Sequence, residues 1–530
     1  MCRLCVEAAA DGRPAPLGHA SDPPARSDGG PARWDLPRRG FFKVAAATAA
    51  GAVAGAGLTA VGGSNASEAS GYHGGSGAPG PRTGEEGVRT LLSGATLLTM
   101  DATVGNFAQG DVLIEGKRIL QVGTNLSGAA RSIDLRGKIV MPGFIDTHHH
   151  QFETALRGLL ADSILRPDGT PQSELNYFDT VINRFTPVYR PEDVYINELF
   201  AGLSQLDAGV TTVLDISQIH NSPEHSDAAV RALKDTGRRA VFGYFEGSGA
   251  GARYPEDARR LRRQWFSSDD QLVTMAMGGE LYLPVRESAW AIGRDLGLQI
   301  VNHVTGTSRA AMEALGQAGQ IRNDNLFIHM TGMSDAVWRF VADAGAAVTL
   351  APPIEMTMRH GTPPIQKAID FGVAASLSSD VECTMTADMF TIMRSAFTLQ
   401  RMLANEKTLA GLPAPALLKS RDVLRMATID GARGLRLDRK VGSITPGKEA
   451  DLVVLDAQAL NVAPLNHAAG AVVTLMDRSN VFGVLVAGKV RKWDGRLLNV
   501  DLDRLRRELE QSRDRLFAAV NQPRNVLQGA

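Results

Sequence analysis

Residues 141–150, MPGFIDTHHH, carry an apolar run straight into three consecutive histidines, and no other stretch narrows the possible folds as far. In a strand over 143–150 the side chains alternate between faces, so His148 and His150 point one way and His149 the other. Two imidazoles on one face, roughly 7 Å apart along a strand, can turn onto one divalent ion, for which neutral imidazole is the commonest ligand. Pro142 and Gly143 punctuate the chain before the strand, Asp146 precedes the histidines, and Ala155, Leu156, Arg157 and Gly158 open the segment that follows.

With 530 residues the chain has room for two or three domains, or for one large barrel and an accessory domain. Lys and Arg number 56 against 57 Asp and Glu, a net charge of -1 that gives no basic excess for nucleic acid. Three cysteines, Cys2, Cys5 and Cys383, exclude a disulfide framework. Residues 1–36 have no apolar period and read as a disordered tail. Arg38, Arg39, Phe41, Phe42 and Lys43 then precede an uncharged Ala, Gly, Val and Thr stretch to about Gly63, which resembles a twin-arginine export signal. That resemblance implies the twin-arginine translocase as a transient partner and a periplasmic or extracellular destination. The stretch is about long enough to span a membrane, so an uncut signal would act as a tether, but Ala and Gly gain little from lipid. The domain plan is a tail and signal over 1–70, a Gly- and Ser-rich linker over 71–87, and a folded body from 88.

Within the body, 139–148 and seven later apolar runs, 211–217, 240–246, 272–278, 299–304, 325–331, 346–351 and 373–380, alternate with helix-like segments. This is the pattern of a parallel α/β barrel. The stretch 141–150 resembles the first barrel strand of the amidohydrolase superfamily, with its pattern Pro-Gly-hydrophobic-hydrophobic-Asp-x-His-x-His. The resemblance implies a (β/α)8 TIM-like barrel over 141–435 and a small β-sandwich from its two flanks, 88–140 and 436–500. The charged helix and tail over 501–530 pack on the barrel or, in a homo-oligomer, on a partner subunit.

Strand five ends at His303, strand six at His329 and strand eight at Asp380, and a carboxylate after an apolar strand is costly unless paired or metal-bound. The resemblance is to the triazine hydrolase and cytosine deaminase branch. It implies one divalent metal on His148, His150, His303 and Asp380, with Asp380 also the catalytic base and His329 polarising the attacked group. Three imidazoles and a carboxylate suit zinc, with iron or manganese as alternatives. A binuclear site would want a bridging Lys or Glu near the end of strand four, where VTMAMGG at 273–279 has no Lys and Glu280 comes late. The deaminases also carry a Glu three residues after the strand-five histidine, where this chain has Gly306. Glu355 is the first replacement candidate, against a loop ion pair with Arg359, and Glu382 the second. His220, after strand two, is a substrate-contact candidate, while His149 and His360 read as packing or loop residues and Cys383 as a buried thiol. The expected reaction is hydrolysis of a C–N bond, amide or amidine-like, in a small molecule. Deamination of an aminated heterocycle through a replacement acid is the alternative, and a non-catalytic metal-containing binding protein the second.

Overall fold

The computed structural model describes residues 80–527. The twin-arginine segment, Cys2 and Cys5 lie outside the described residues. Eight strands follow in chain order around one sheet: β1 (Phe144–His149), β2 (Val210–Ser217), β3 (Arg239–Tyr244), β4 (Val273–Gly278), β5 (Ile300–Val304), β6 (Asn325–His329), β7 (Ala347–Leu350) and β8 (Ala375–Leu377). All neighbours pair in parallel. A parallel bridge between His149 and Asp380 brings the far edge back to β1. There the Asp380 N–H donates to the His148 carbonyl at 3.0 Å and the His150 N–H to the Asp380 carbonyl at 2.9 Å.

Strands covered on both sides read as unbroken apolar or β-branched runs, and all eight residues of β2, VTTVLDIS, are buried. The barrel interior holds Ile145, Leu214, Ile216, Val241, Ala276, Val301, Leu326 and Ile328, closed by Ala432, Leu435 and Leu437. The larger core lies between the strands and their surrounding helices.

The first barrel strand is shorter than the sequence pattern suggests, because the run divides at Gly143. Lys138–Pro142 belongs to the second sheet, antiparallel to Leu452–Asp456, and the barrel strand starts at Phe144. A Cβ at Gly143 would collide with the Thr211 side chain, so only glycine allows the chain to cross here. Strand eight shortens to three residues.

The second sheet has nine strands drawn from both ends of the described chain. It curls around its own core of Leu92, Val112, Ile114, Val140, Leu452 and Leu485, drawn together where the Ile119 N–H donates to the Lys448 carbonyl at 2.9 Å. The flank over 436–500 also returns to the barrel, since helix Ala468–Thr474 buries Val472 and Val473 in the larger core. Helix Leu502–Ala519 packs on helix Pro191–Asp207 of the same chain: Leu505 joins Ile196, Leu199 and Leu203, and Ser512 Oγ donates to Asp193 at 2.8 Å. No helix among the described residues is long and apolar enough to cross a membrane.

Candidate metal centre

The polar residues gather where the barrel strands end, the face on which such barrels place their sites. Between Asp146 and His149, three steps along β1 match two along β2, a bulge that re-aims side chains. Asp146 turns outward to accept from Gln205 Nε2 at 2.6 Å, while Thr147 Oγ1 points inward, 2.9 Å from Ser376 Oγ. Across the three histidines the alternation read from the sequence holds. His148 and His150 meet, and His149 turns away, its Nε2 3.8 Å from Glu382.

His148 Nε2 is the hub. It lies 3.0 Å from His150 Nε2, 3.1 Å from His303 Nε2 and 3.6 Å from Asp380 Oδ1, which is itself 3.5 Å from His150 Nε2. His329 Nε2 stands 3.6 Å from Asp380 Oδ2. Donors each about 2.0–2.1 Å from a tetrahedral ion sit roughly 3.3 Å apart, close to the separations of His150, His303 and Asp380 from His148 Nε2. One N–H cannot serve both neighbours of His148 Nε2, and a cation resolves the crowding that hydrogen bonds cannot. The residues therefore fit a divalent metal.

The electrostatics agree. Burial, then the neighbouring imidazoles, push His148 well below the usual histidine range, and burial with His303 does the same to His150. Such rings stay neutral, as ligands must. His303 differs: burial works against its protonation, yet the Glu280 carboxylate on its Nδ1 at 2.7 Å carries it above the usual value. That contact fixes the tautomer and aims Nε2 at the hub. Burial pushes Asp380 up to about 7, and a cation beside it reverses that shift. His329 and Asp380 hold left-handed backbone, φ 74° and 65°, strain of the kind stored at functional sites.

A cavity of about 610 Å³ of non-atom space, open mouth included, lies over the cluster; His150, His303, His329, His360, Asp380 and Glu280 line it. Its rim carries Arg166, stacked 3.6 Å above the Phe178 ring centre.

Three sequence candidates stand elsewhere. His220 is buried away from the cavity, its Nδ1 3.1 Å from Ser226 Oγ and its ring against Phe242 and Tyr244. It is a packed histidine, held at Nδ1 by the helix that follows its loop. Glu382 accepts from Arg157 at 2.7 Å and does not line the cavity. Glu355 also lies outside the cavity. It is fully buried and its Oε1 sits 3.1 Å from His329 Nδ1 and 2.8 Å from the Ala351 N–H. Arg359 pairs with Asp168 instead. Cys383 is buried and outside the cavity. Two cavity residues were named in the sequence reading without being given to the site, Glu280 as late for a bridging ligand and His360 as a loop histidine. The strand-end rule reaches Glu280, two residues past β4, once its position is not discounted as late. His360 sits in a loop and carries no local signal.

Known proteins resemble this chain throughout the described body. The chain is 25% identical over 452 residues to a 5'-deoxyadenosine deaminase of Methanosarcina mazei, covering 81% of this chain and 99% of that one. It is 28% identical over 405 residues to a 5-methylthioadenosine/S-adenosylhomocysteine deaminase of Symbiobacterium thermophilum, covering 72% and 87%. Among solved structures, a zinc-containing adenosine deaminase of Xanthomonas campestris superposes with a TM-score of 0.72 at 24% identity, covering 82% of this chain and all of that one. An atrazine chlorohydrolase of Arthrobacter aurescens with zinc superposes with a TM-score of 0.69 at 21% identity, covering 80% and 100%; both likenesses establish the fold. The sequence profile of the Amidohydrolase family matches residues 139–491, and with barrel, flanking sheet and histidine cluster in place, the chain belongs to the amidohydrolase family.

Proposed function

We propose that the chain hydrolyses a C–N bond, other than a peptide bond, in a small molecule, using one divalent metal held by His148, His150, His303 and Asp380. The observation that carries this is the convergence of His150 Nε2, His303 Nε2 and one Asp380 oxygen on His148 Nε2 beneath a cavity. Zinc suits that donor set. When bound, the ion supplies Lewis acidity and makes water acidic enough to attack near neutral pH.

The chain's own groups do the rest. Asp380, with one oxygen toward the histidines and the other toward His329, takes the proton of the attacking water. Burial pushes the Glu355 carboxyl well up, so it keeps a proton for His329 Nδ1. The ring then carries its own proton on Nε2, facing the cavity, where it stabilises the developing oxyanion. Glu355 is thus a positioning residue.

Two bond types fit. The relatives' names favour removal of an amino group from a heterocyclic carbon. Gly306, which has no acid to offer, favours an amide. Assaying metal-loaded protein for ammonia and for free amine across aminated heterocycles and small amides decides between them. About one metal per chain is expected, and activity lost on chelation should return with zinc; loaded protein inactive on both panels would break the proposal. Export through the twin-arginine route is part of this reading, and Arg38→Lys with Arg39→Lys should hold the protein in the cytoplasm by fractionation.

A further inference from the structure

Hydrolysis of a C–N bond leaves a nitrogen that must be protonated as it departs, and Gly306 cannot do it. Three acidic or imidazole groups near the metal ligands qualify for comparison. Glu355 is fully buried and outside the cavity, so no substrate reaches it. Glu280 lines the cavity, but its Oε1 accepts from His303 Nδ1 at 2.7 Å and from Gln218 Nε2 at 3.2 Å. His360 differs from both. A ring nitrogen of His360 lies within 4.8 Å of donor atoms on both His329 and Asp380. Its ring meets that of His329 edge-on, with centres 4.6 Å apart. Both of its nitrogens are buried, and neither has a hydrogen-bond partner among the described residues. Buried polar atoms are nearly always partnered, and this ring lines the cavity that receives substrate.

We infer that His360 touches the reacting end of the substrate and hands the leaving nitrogen its proton. The inference rests on the hydrolase reading above. Water oxygen bonds to the substrate carbon while Asp380 takes one water proton. The C–N bond then breaks with its electron pair on nitrogen, which takes the proton from one His360 nitrogen. The other His360 nitrogen takes the proton from Asp380. The imidazole ends neutral in its opposite tautomer, Asp380 ends as a carboxylate, and one water has been added across the bond.

Two variants test this. His360→Asn keeps a hydrogen-bonding amide that cannot relay, and His360→Phe keeps a ring against His329. Each is loaded with zinc, its metal content measured, and its kcat and KM compared on two substrates of one scaffold. One substrate carries an alkylamine leaving group; the other carries p-nitrophenoxide, which departs without a proton. Both variants should keep about one metal per chain and lose roughly 100-fold in kcat on the amine substrate, the usual scale of general acid catalysis. KM and the p-nitrophenoxide reaction should change little. Equal losses on both substrates, an unchanged kcat, or loss of metal would each overturn the inference. So would the leaving-group signature appearing in Glu280→Gln and not in the His360 variants. Loaded wild-type protein inactive on every C–N compound would instead remove the hydrolase reading, and this step with it.

Discussion

Two nests of buried polar groups lie back to back around β1, and they solve the cost of burial differently. Behind His149, fully buried Arg238 donates to Gln205 Oε1 at 2.7 Å and to Gln151. Gln151 Nε2 passes the chain on to Glu198 at 3.0 Å and Asp215 at 3.1 Å. Ser217 Oγ lies within hydrogen-bonding reach of both carboxylates and can give its one proton to either. Burial raises Asp215 to about 6 and lowers Arg238 to about 10. The shell carries its own cation, so each carboxylate meets a donor. At the mouth, by contrast, His148, His150, His303 and Asp380 turn acceptor-capable atoms on one another. None of those four side chains is an arginine or lysine, and this distinguishes a site made for a metal from a network made for structure.

The contrast breaks if substitutions on the two sides have the same kind of effect. Asp380→Asn removes the proposed base from the mouth, and kcat should fall by about 100- to 10,000-fold while the unfolding midpoint in denaturant stays put. Arg238→Met removes the cation from the shell and leaves Glu198, Asp215 and Asp146 without it. Stripping one partner from a buried ionic network costs about 3–5 kcal/mol, read as a lower denaturation midpoint, with surviving folded protein still binding metal. A smaller effect lies between the nests: Glu355→Gln loosens the grip on His329 Nδ1 and should cost roughly 10- to 100-fold in activity, with metal content unchanged. Glu280→Gln, acting on a proposed ligand, should instead weaken zinc binding by about 10-fold in competition with a chromophoric chelator. If Glu280→Gln lowers kcat and spares affinity, the assignment of His303 as a ligand needs revision.

How much of this the sequence disclosed follows from what a side-chain pattern can and cannot carry. The eight barrel strands were legible because parallel strands buried on both faces have little choice but continuous apolar runs. His303, His329 and Asp380 were legible because polar residues closing such runs have one mouth to enter. The split at Gly143 was hidden, since the same apolar run serves two sheets and only the closeness of Thr211 shows why it must bend. The bulge between Asp146 and His149 was hidden too, and it spared the alternation argument only because it leaves His148 and His150 meeting on one face. His360 and Arg166 belong to loops, whose paths depend on tertiary contacts that leave no period in the sequence. Glu355 was noticed for its position, yet which of its neighbours it would hold, His329 rather than Arg359, is a matter of burial that spacing does not encode.

His220 supplies the gentlest test of the contrast, because it sits outside both nests. His220→Leu should leave kcat and KM within about 2-fold, since its ring does not line the cavity. At neutral pH it should cost roughly 1 kcal/mol for the lost Ser226 contact. The acid limb is more informative. Burial lowers His220 to about 3 in the folded protein, against about 6.5 for an unfolded histidine. Below pH 6.5 the unfolded chain takes up a proton that the folded one refuses, so wild-type stability falls as pH drops from about 6.5 toward 3. A leucine has no proton to take up. The variant should therefore be the less stable protein at pH 7 and gain on the wild type by up to about 1.4 kcal/mol per pH unit on acidification, so that denaturation midpoints cross near pH 6. Parallel curves would mean that the folded ring titrates normally, as a water-exposed, substrate-facing histidine does. His220 would then return to the cavity from which the structure has removed it.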